Sequence, residues 1–139
     1  MPRIIFYTLS SPAAEAREAF ACRLALKAWR QGLRVWLLCR DQAQAHTLNQ
    51  QLWDLPNAFM PNAREDQVQQ ENVICGWNVP TAGRCDLLIN LTDSMAFNAA
   101  DYASLAEILH NHEDTLAPGR ERFRQYRKQG YDPQKHAID

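Results

Sequence analysis

A run of arginine and aromatic residues near the end of the sequence has the clearest chemistry. Residues 120–128 read RERFRQYRK. At about 100° per residue in a helix, the basic residues share one face, which comprises Arg120, Arg124, Arg127 and Lys128. Phe123 and Tyr126 point to an adjoining face and can pack inward. Because guanidinium groups bind carboxylate or phosphate through paired N–H donors, the segment predicts either a site for an acidic ligand or a solvated helix face.

Large apolar residues also occur in a loop-like segment where polar residues are expected. They are Trp53, Leu55, Pro56, Phe59, Met60 and Pro61. Either they tuck under the loop as part of the core, or they form an exposed apolar pocket.

Patterns typical of catalysis or cofactor binding are missing from the sequence. The turn at residues 8–12 (TLSSP) has no glycine, and neither G-x-G-x-x-G nor a phosphate-loop motif occurs. No G-x-S-x-G motif is present, and His110 and His112 lack further metal ligands and read as a polar turn. Asp86 and Asp93 lie at the two ends of a predicted strand, where active sites often occur, but helix capping explains Asp93 equally well. We therefore predict no cofactor, no metal and no catalytic residue.

Length and composition are typical of one soluble domain. The 139 residues are 46% hydrophobic and 22% charged, and no apolar run approaches the roughly 18 residues of a membrane helix. The first residues lead directly into a strand-like segment, so we expect no signal peptide and a cytoplasmic protein. No C-x-x-C spacing occurs, and we expect buried thiols rather than disulfides at all four cysteines, Cys22, Cys39, Cys75 and Cys85.

The charge distribution bears on three classes of function. The net charge is −1, but residues 120–139 hold six basic residues against three acidic ones. This locally positive end favours a protein that binds an acidic partner. Direct nucleic-acid binding would be weak because few phosphates could be neutralised. A nucleotide- or phosphate-using enzyme is supported by the fold alone, with Ser10 and Ser11 beside a helix start.

The elements that must position these residues alternate between strands and helices. Strands are predicted at 3–9, 34–39, 72–77 and 85–91. Helices are predicted from Ser11 to Gly32, from Asp41 until Pro56 ends the helix, and from about Ala117 to Gln129, with a loop at 56–70. Segment 102–111 has helical periodicity but also fits a fifth strand at 107–110. The alternation predicts a single three-layer α/β/α domain over residues 1–139, with a mostly parallel sheet.

Several short motifs, taken in order, resemble the chi subunit of bacterial DNA polymerase III. They are Phe6-Tyr7-x-Leu9, Arg34-Val35, Leu52-Trp53 followed by Phe59-Met60-Pro61, residues 86–91 (DLLINL), and the run from Arg120 to Gly130. The resemblance covers nearly the whole chain and rests on the order and spacing of these motifs. The sequence departs from the family pattern at Asn62, where the family usually has histidine.

The resemblance implies a five-stranded, nucleotide-binding-like fold without a phosphate loop, and it implies that 107–110 is a strand. It also implies a non-catalytic accessory subunit in DNA replication. Such subunits join the clamp loader through a psi subunit and bind the acidic, Phe-terminated C-terminal tail of single-stranded-DNA-binding protein. Nucleic acid is then contacted indirectly, and no membrane is involved. The alternative is a nucleotide- or phosphate-binding enzyme on a Rossmann-like fold.

The resemblance also implies which residues bind the tail. The family's tail-binding positions correspond to Trp53, Phe59, Pro61, Arg120 and Arg124, and the supporting basic-aromatic face comprises Phe123, Tyr126, Arg127 and Lys128. An apolar pocket would hold the terminal Phe of the tail, and guanidinium groups would pair with its carboxylates. We expect the apolar loop to lie beside the basic helix face and complete one pocket.

Overall fold

The computed structural model describes residues 1–68 and 70–139 as one α/β unit. Its strands are β1 (Arg3–Leu9), β2 (Val35–Leu38), β3 (Asn62–Arg64), β4 (Val73–Gly76), β5 (Leu87–Asn90), β6 (Ser104–Leu109) and β7 (Gln134–Ile138). Its α-helices are α1 (Ala14–Arg30), α2 (Gln42–Trp53) and α3 (Glu113–Lys128), and a short 3-10 helix lies at Ala99–Asp101. Within these described ranges, no helix is both long and apolar enough to cross a membrane.

The seven strands of the described residues form one sheet in the order β3-β4-β2-β5-β6-β1-β7, and every neighbouring pair is parallel. The predicted α/β class is confirmed, but the predicted count of five strands is wrong. The two additional strands, β3 and β7, are the two edges of the sheet. Edge strands can be short and polar, and these read NAR and QKHAI, so they carry none of the apolar signal that marks a central strand.

The sheet separates two apolar layers. Helices α1 and α2 pack on one face, against side chains such as Val35, Leu37 and Ile89. Helix α3 and the 95–102 segment pack on the other face, against Phe6, Leu88 and their neighbours. Alternate residues of the buried strands point to opposite faces, so one continuous apolar run supplies both layers.

Segment 102–111 contains a strand, and its helical periodicity is misleading. β6 pairs with β1 on one side and β5 on the other, so residues 105–109 of the strand are all buried. The strand begins three residues earlier than the predicted 107–110. Its inward-facing carboxylate, Glu107, interrupts the apolar pattern that would have identified a central strand from sequence.

Two helices begin away from their predicted starts. α1 begins at Ala14 with Ala13 as its N-cap; the Ser11 hydroxyl accepts a hydrogen bond from the N–H of Ala13, and no described side chain caps the helix. α3 begins at Glu113 rather than Ala117, capped by His112, whose Nδ1 accepts from the N–H of Asp114. The predicted start of α2 is confirmed by the Asp41 cap, which accepts from the N–H of Gln44 at 2.8 Å.

The structure also shows the surroundings of the cysteines, Asp86 and His110. The four cysteines are free and buried, as expected. Asp86 pairs with Arg34 at 3.0 Å, which ties the start of β2 to the segment before β5. His110 does not lie in a solvated polar turn: its side chain is buried against Thr115, whose hydroxyl donates to the His110 carbonyl at 2.9 Å.

Candidate functional site

Helix α3 is fixed to the sheet by a buried polar cluster. Glu107 of β6 is fully buried, and its carboxylate accepts from Arg122 Nε at 3.0 Å and from the Tyr126 hydroxyl at 2.8 Å. Asn90 Nδ2 donates to the same carboxylate from β5 at 3.1 Å. Tyr126 therefore packs inward, as its position on the helix allowed, and it anchors α3 to the sheet.

Burial decides the protonation chemistry of this cluster. Burial raises the pKa of Glu107, and the nearby guanidinium of Arg122 partly opposes that shift. Burial also raises the pKa of the Tyr126 hydroxyl, with the Glu107 carboxylate acting in the same direction. A carboxylate held in this way orients α3, and the remaining basic residues of the helix then face solvent.

The basic face of α3 borders a groove of about 380 Å³. The groove lies between α3 and β7, and strand β1 forms its floor. Its lining comprises Phe6, Thr8, Leu109, Leu116, Gly119, Arg120, Phe123, Arg124, Arg127 and Lys135. Gly119 permits the close approach of helix and sheet, since a Cβ there would lie 2.5 Å from Leu109 Cδ1. The groove thus combines an apolar floor with a cationic rim.

Phe123 connects the floor of the groove to its rim. Its ring packs edge-on against Phe6 with the centroids 5.2 Å apart. The guanidinium of Arg127 lies over the same ring at 5.6 Å, and the Lys135 ammonium lies over it at 4.7 Å. Of the predicted basic-aromatic face, Phe123 and Arg127 line the groove, whereas Lys128 is exposed outside its lining.

Sequence reasoning missed Lys135 as a member of this surface. Lys135 lies in β7 opposite Phe6 of β1, and this register places it on the α3 side of the sheet. No local pattern marked β7 as a strand, so the residue counted only toward the positive charge of the C-terminal segment. Successive side chains of a strand point to opposite faces of the sheet, so knowing that β7 pairs with β1 would have shown which face Lys135 is on.

The apolar loop forms a separate surface. Trp53 and Phe59 are 42% and 77% exposed and pack together with ring centroids 5.6 Å apart, and Pro61 is exposed nearby in sequence. Met60, which lies between Phe59 and Pro61 in the sequence, is buried in the apolar layer of α1 and α2. Both alternatives drawn from the sequence thus apply, each to different residues of the loop.

The structure does not bring this loop beside the basic helix. α2 and the loop lie on the sheet face opposite α3 and next to β3, whereas the groove lies over β1 and β7. β3 and β1 are separated by five strand spacings, or roughly 24 Å. The expectation that Trp53 and Phe59 complete one pocket with Arg120 is therefore not met.

The crevice at the carboxyl ends of the strands is where related folds bind nucleotides. Here it is lined by charged and polar side chains from both helical layers, including Glu15, Arg17, Glu18, Arg40, Asp93, His110 and Asp114. Carboxylates outnumber arginines four to two in this set, which opposes phosphate binding. Among the described residues, no group of three or more His, Cys, Asp or Glu side chains is arranged to hold a metal.

Comparison with known proteins decides the family. A family model described as DNA polymerase III chi subunit, HolC, matches residues 1–134. The chain belongs to the DNA polymerase III chi subunit family. Relatives named DNA polymerase III subunit chi include one from Pseudomonas aeruginosa, 37% identical over 139 residues, covering 99% of this chain and 98% of the relative. One from Escherichia coli K12 is 30% identical over 139 residues, covering 94% and 95%.

A third relative, from Haemophilus influenzae, is 29% identical over 130 residues and covers 91% of this chain and 90% of its own length. The chi family resemblance found in the sequence is thereby confirmed. Chi subunits are accessory subunits that are not catalytic by themselves, so this chain has an accessory role in DNA replication. Membership also implies partners within the polymerase holoenzyme.

Proposed function

We propose that this chi-family protein binds the acidic C-terminal tail of single-stranded-DNA-binding protein in the groove between α3 and β7. The observation that supports this most directly is the pairing of an apolar floor with a rim of four cations. Leu116 and Phe123, which line the groove and are half-buried, offer apolar surface to a terminal Phe side chain. Arg120 and Arg124 offer paired N–H donors to its carboxylates.

By this contact the protein links single-stranded-DNA-binding protein to the clamp loader. We propose that the link to the clamp loader runs through a psi subunit, in the cytoplasm where the chromosome is copied. Template DNA is then reached indirectly. The net charge of −1 supports indirect rather than direct DNA contact, because a groove with four cations neutralises too few phosphates for strong direct binding.

Titration calorimetry at low salt with a peptide ending in Asp-Asp-Ile-Pro-Phe tests the proposal. We expect a Kd in the micromolar range, weakening as salt screens the charges. Arg120→Ala combined with Arg124→Ala should weaken binding about tenfold or more, since both residues lie on the groove rim. No binding by the unmodified protein, or full affinity in the double variant, would refute the proposal.

Two controls define the groove as the site. A peptide with the terminal Phe replaced by Ala should bind far more weakly if the apolar floor holds that ring. Trp53→Ala should leave the affinity unchanged, because neither member of the exposed Trp53–Phe59 pair lines the groove. Loss of tail binding in Trp53→Ala would instead restore the single contact surface expected from the sequence, with Trp53, Phe59 and Pro61 in it.

A further inference from the structure

The four cations on the groove rim are not equivalent. Arg120 is paired with Glu113 at 3.2 Å, and Arg124 is paired with Glu121 at 3.0 Å. Within the described ranges, Arg127 and Lys135 have no carboxylate within ion-pair distance. An acidic ligand must compete with an internal carboxylate at Arg120 and Arg124, whereas Arg127 and Lys135 present charge that no described carboxylate compensates.

These two uncompensated cations converge on one aromatic ring from different elements. Arg127 belongs to the last turn of α3, and Lys135 belongs to the edge strand β7. Both lie over Phe123, with Arg127 Cζ 5.6 Å and Lys135 Nζ 4.7 Å from its centroid. Cation–π attraction holds flexible basic side chains near the ring and reduces the entropy lost when they bind a carboxylate.

The position of Lys135 is set by strand pairing. The parallel register joins Lys135 to Phe6 and Ala137 to Thr8, so β7 places the lysine along the side of the groove that faces α3. Burial of Phe6 and its edge-on contact with Phe123 fix the floor between them. The groove therefore has a cationic wall on each side near Phe123.

We infer that Lys135 of β7, together with Arg127, is the main contact for the acidic side chains that precede the terminal residue of the bound tail. This inference rests on the proposed function and adds a specificity-determining residue from outside α3. Arg120 and Arg124 then serve the terminal carboxylate after exchange with Glu113 and Glu121. A tail without acidic side chains should consequently lose the contribution of β7.

The test compares Lys135→Met with the matched variant Lys128→Met. Each variant removes the charge of one exposed lysine, keeps an unbranched side chain of similar length and changes the net charge by the same amount. Lys128, however, does not line the groove. At low salt, we expect Lys135→Met to weaken binding of the acidic peptide about three- to fivefold and Lys128→Met to weaken it less than about twofold. Lys135→Glu should weaken it about tenfold or more, since attraction becomes repulsion.

A second peptide, with its Asp residues replaced by Asn, separates charge recognition from a structural effect. Lys135→Met should not change the affinity for this peptide, while the effect on the acidic peptide should shrink as salt is raised. Equal losses for both peptides, or equal effects of the Lys135 and Lys128 variants, would overturn the inference. Failure of the unmodified protein to bind either peptide would refute the proposed function itself, so the two failures can be told apart.

Discussion

Replacing Arg122 with methionine would leave the carboxylate of Glu107 buried without its cationic partner. Arg122 is 3% exposed, and its Nε lies 3.0 Å from Glu107 Oε1. Removing one partner of a buried ion pair typically costs about 3–5 kcal/mol, because the remaining charge keeps its desolvation penalty. A loss of this size is a large fraction of the stability of a domain, which is about 5–15 kcal/mol.

Urea denaturation followed by circular dichroism measures this loss. With a denaturant slope of about 2 kcal/mol per molar urea, the midpoint should fall by about 1.5–2.5 M. Arg124→Met is the matched control on the same helix. Its side chain is 64% exposed and paired to an exposed carboxylate, so we expect a change of less than about 1 kcal/mol.

A double variant tests whether the uncompensated carboxylate causes the loss. Glu107→Gln keeps the shape of the side chain and its acceptor oxygen for the Tyr126 hydroxyl, but it removes the charge. The Glu107→Gln, Arg122→Met protein should therefore be about 2 kcal/mol more stable than Arg122→Met alone. Among the described residues, Nη1 and Nη2 of Arg122 have no hydrogen-bond partner, so the buried pair is incompletely satisfied even in the unmodified protein, which favours this recovery.

The pH dependence has a defined sign. Burial raises the pKa of Glu107 in the folded state, so between the unfolded and folded pKa values the folded state binds more protons and stability falls as pH rises. Loss of Arg122 raises that pKa further, and Arg122→Met should be less destabilised at pH 5 than at pH 8. A loss below about 1 kcal/mol that is equal at both pH values would refute this reasoning.

Three further predictions concern other parts of the molecule. Glu113→Gln should release Arg120 and strengthen tail binding by about twofold in calorimetry at low salt; unchanged affinity would mean that the tail does not use Arg120. Gly76→Ala should lower stability by about 2 kcal/mol or more in thermal unfolding, because the added Cβ would overlap the indole ring of Trp36; an unchanged midpoint would contradict the packing described. Burial raises the pKa of the Cys22 and Cys85 thiols to about 12, so a chromogenic thiol reagent at pH 7.5 should react only after urea unfolding, and rapid labelling of the folded protein would disprove this protection.

The central part of the fold could be predicted because its signals are local. The predicted strand at 3–9 coincides with β1, and β2, β4 and β5 lie within their predicted ranges. Each has a short run of apolar residues that only a strand buried on both faces can accommodate. The Asp41 cap of α2 was equally local, since the carboxylate and the N–H it accepts from are three residues apart.

The parts that could not be predicted depend on partners distant in sequence. β3 and β7 are polar and become strands because β4 and β1 offer them unpaired edges. β6 was hard to recognise from sequence because it contains Glu107. Burial of this carboxylate is tolerated only because Arg122 and Tyr126 of the following helix α3 donate hydrogen bonds to it. The sequence shows the carboxylate of Glu107 but does not show which residues pair with it.

The candidate site likewise has one part that local sequence determines and one part that depends on distant pairing. The sequence by itself determined that the last helix carries a cationic face, because a periodicity of 3.6 residues sets which side chains share a face. Only the tertiary structure decided what lies opposite that face: β7 and Lys135 rather than Trp53 and Phe59. The reason is physical, because strand order and register place elements side by side through pairing over long sequence distances, and no local pattern encodes them.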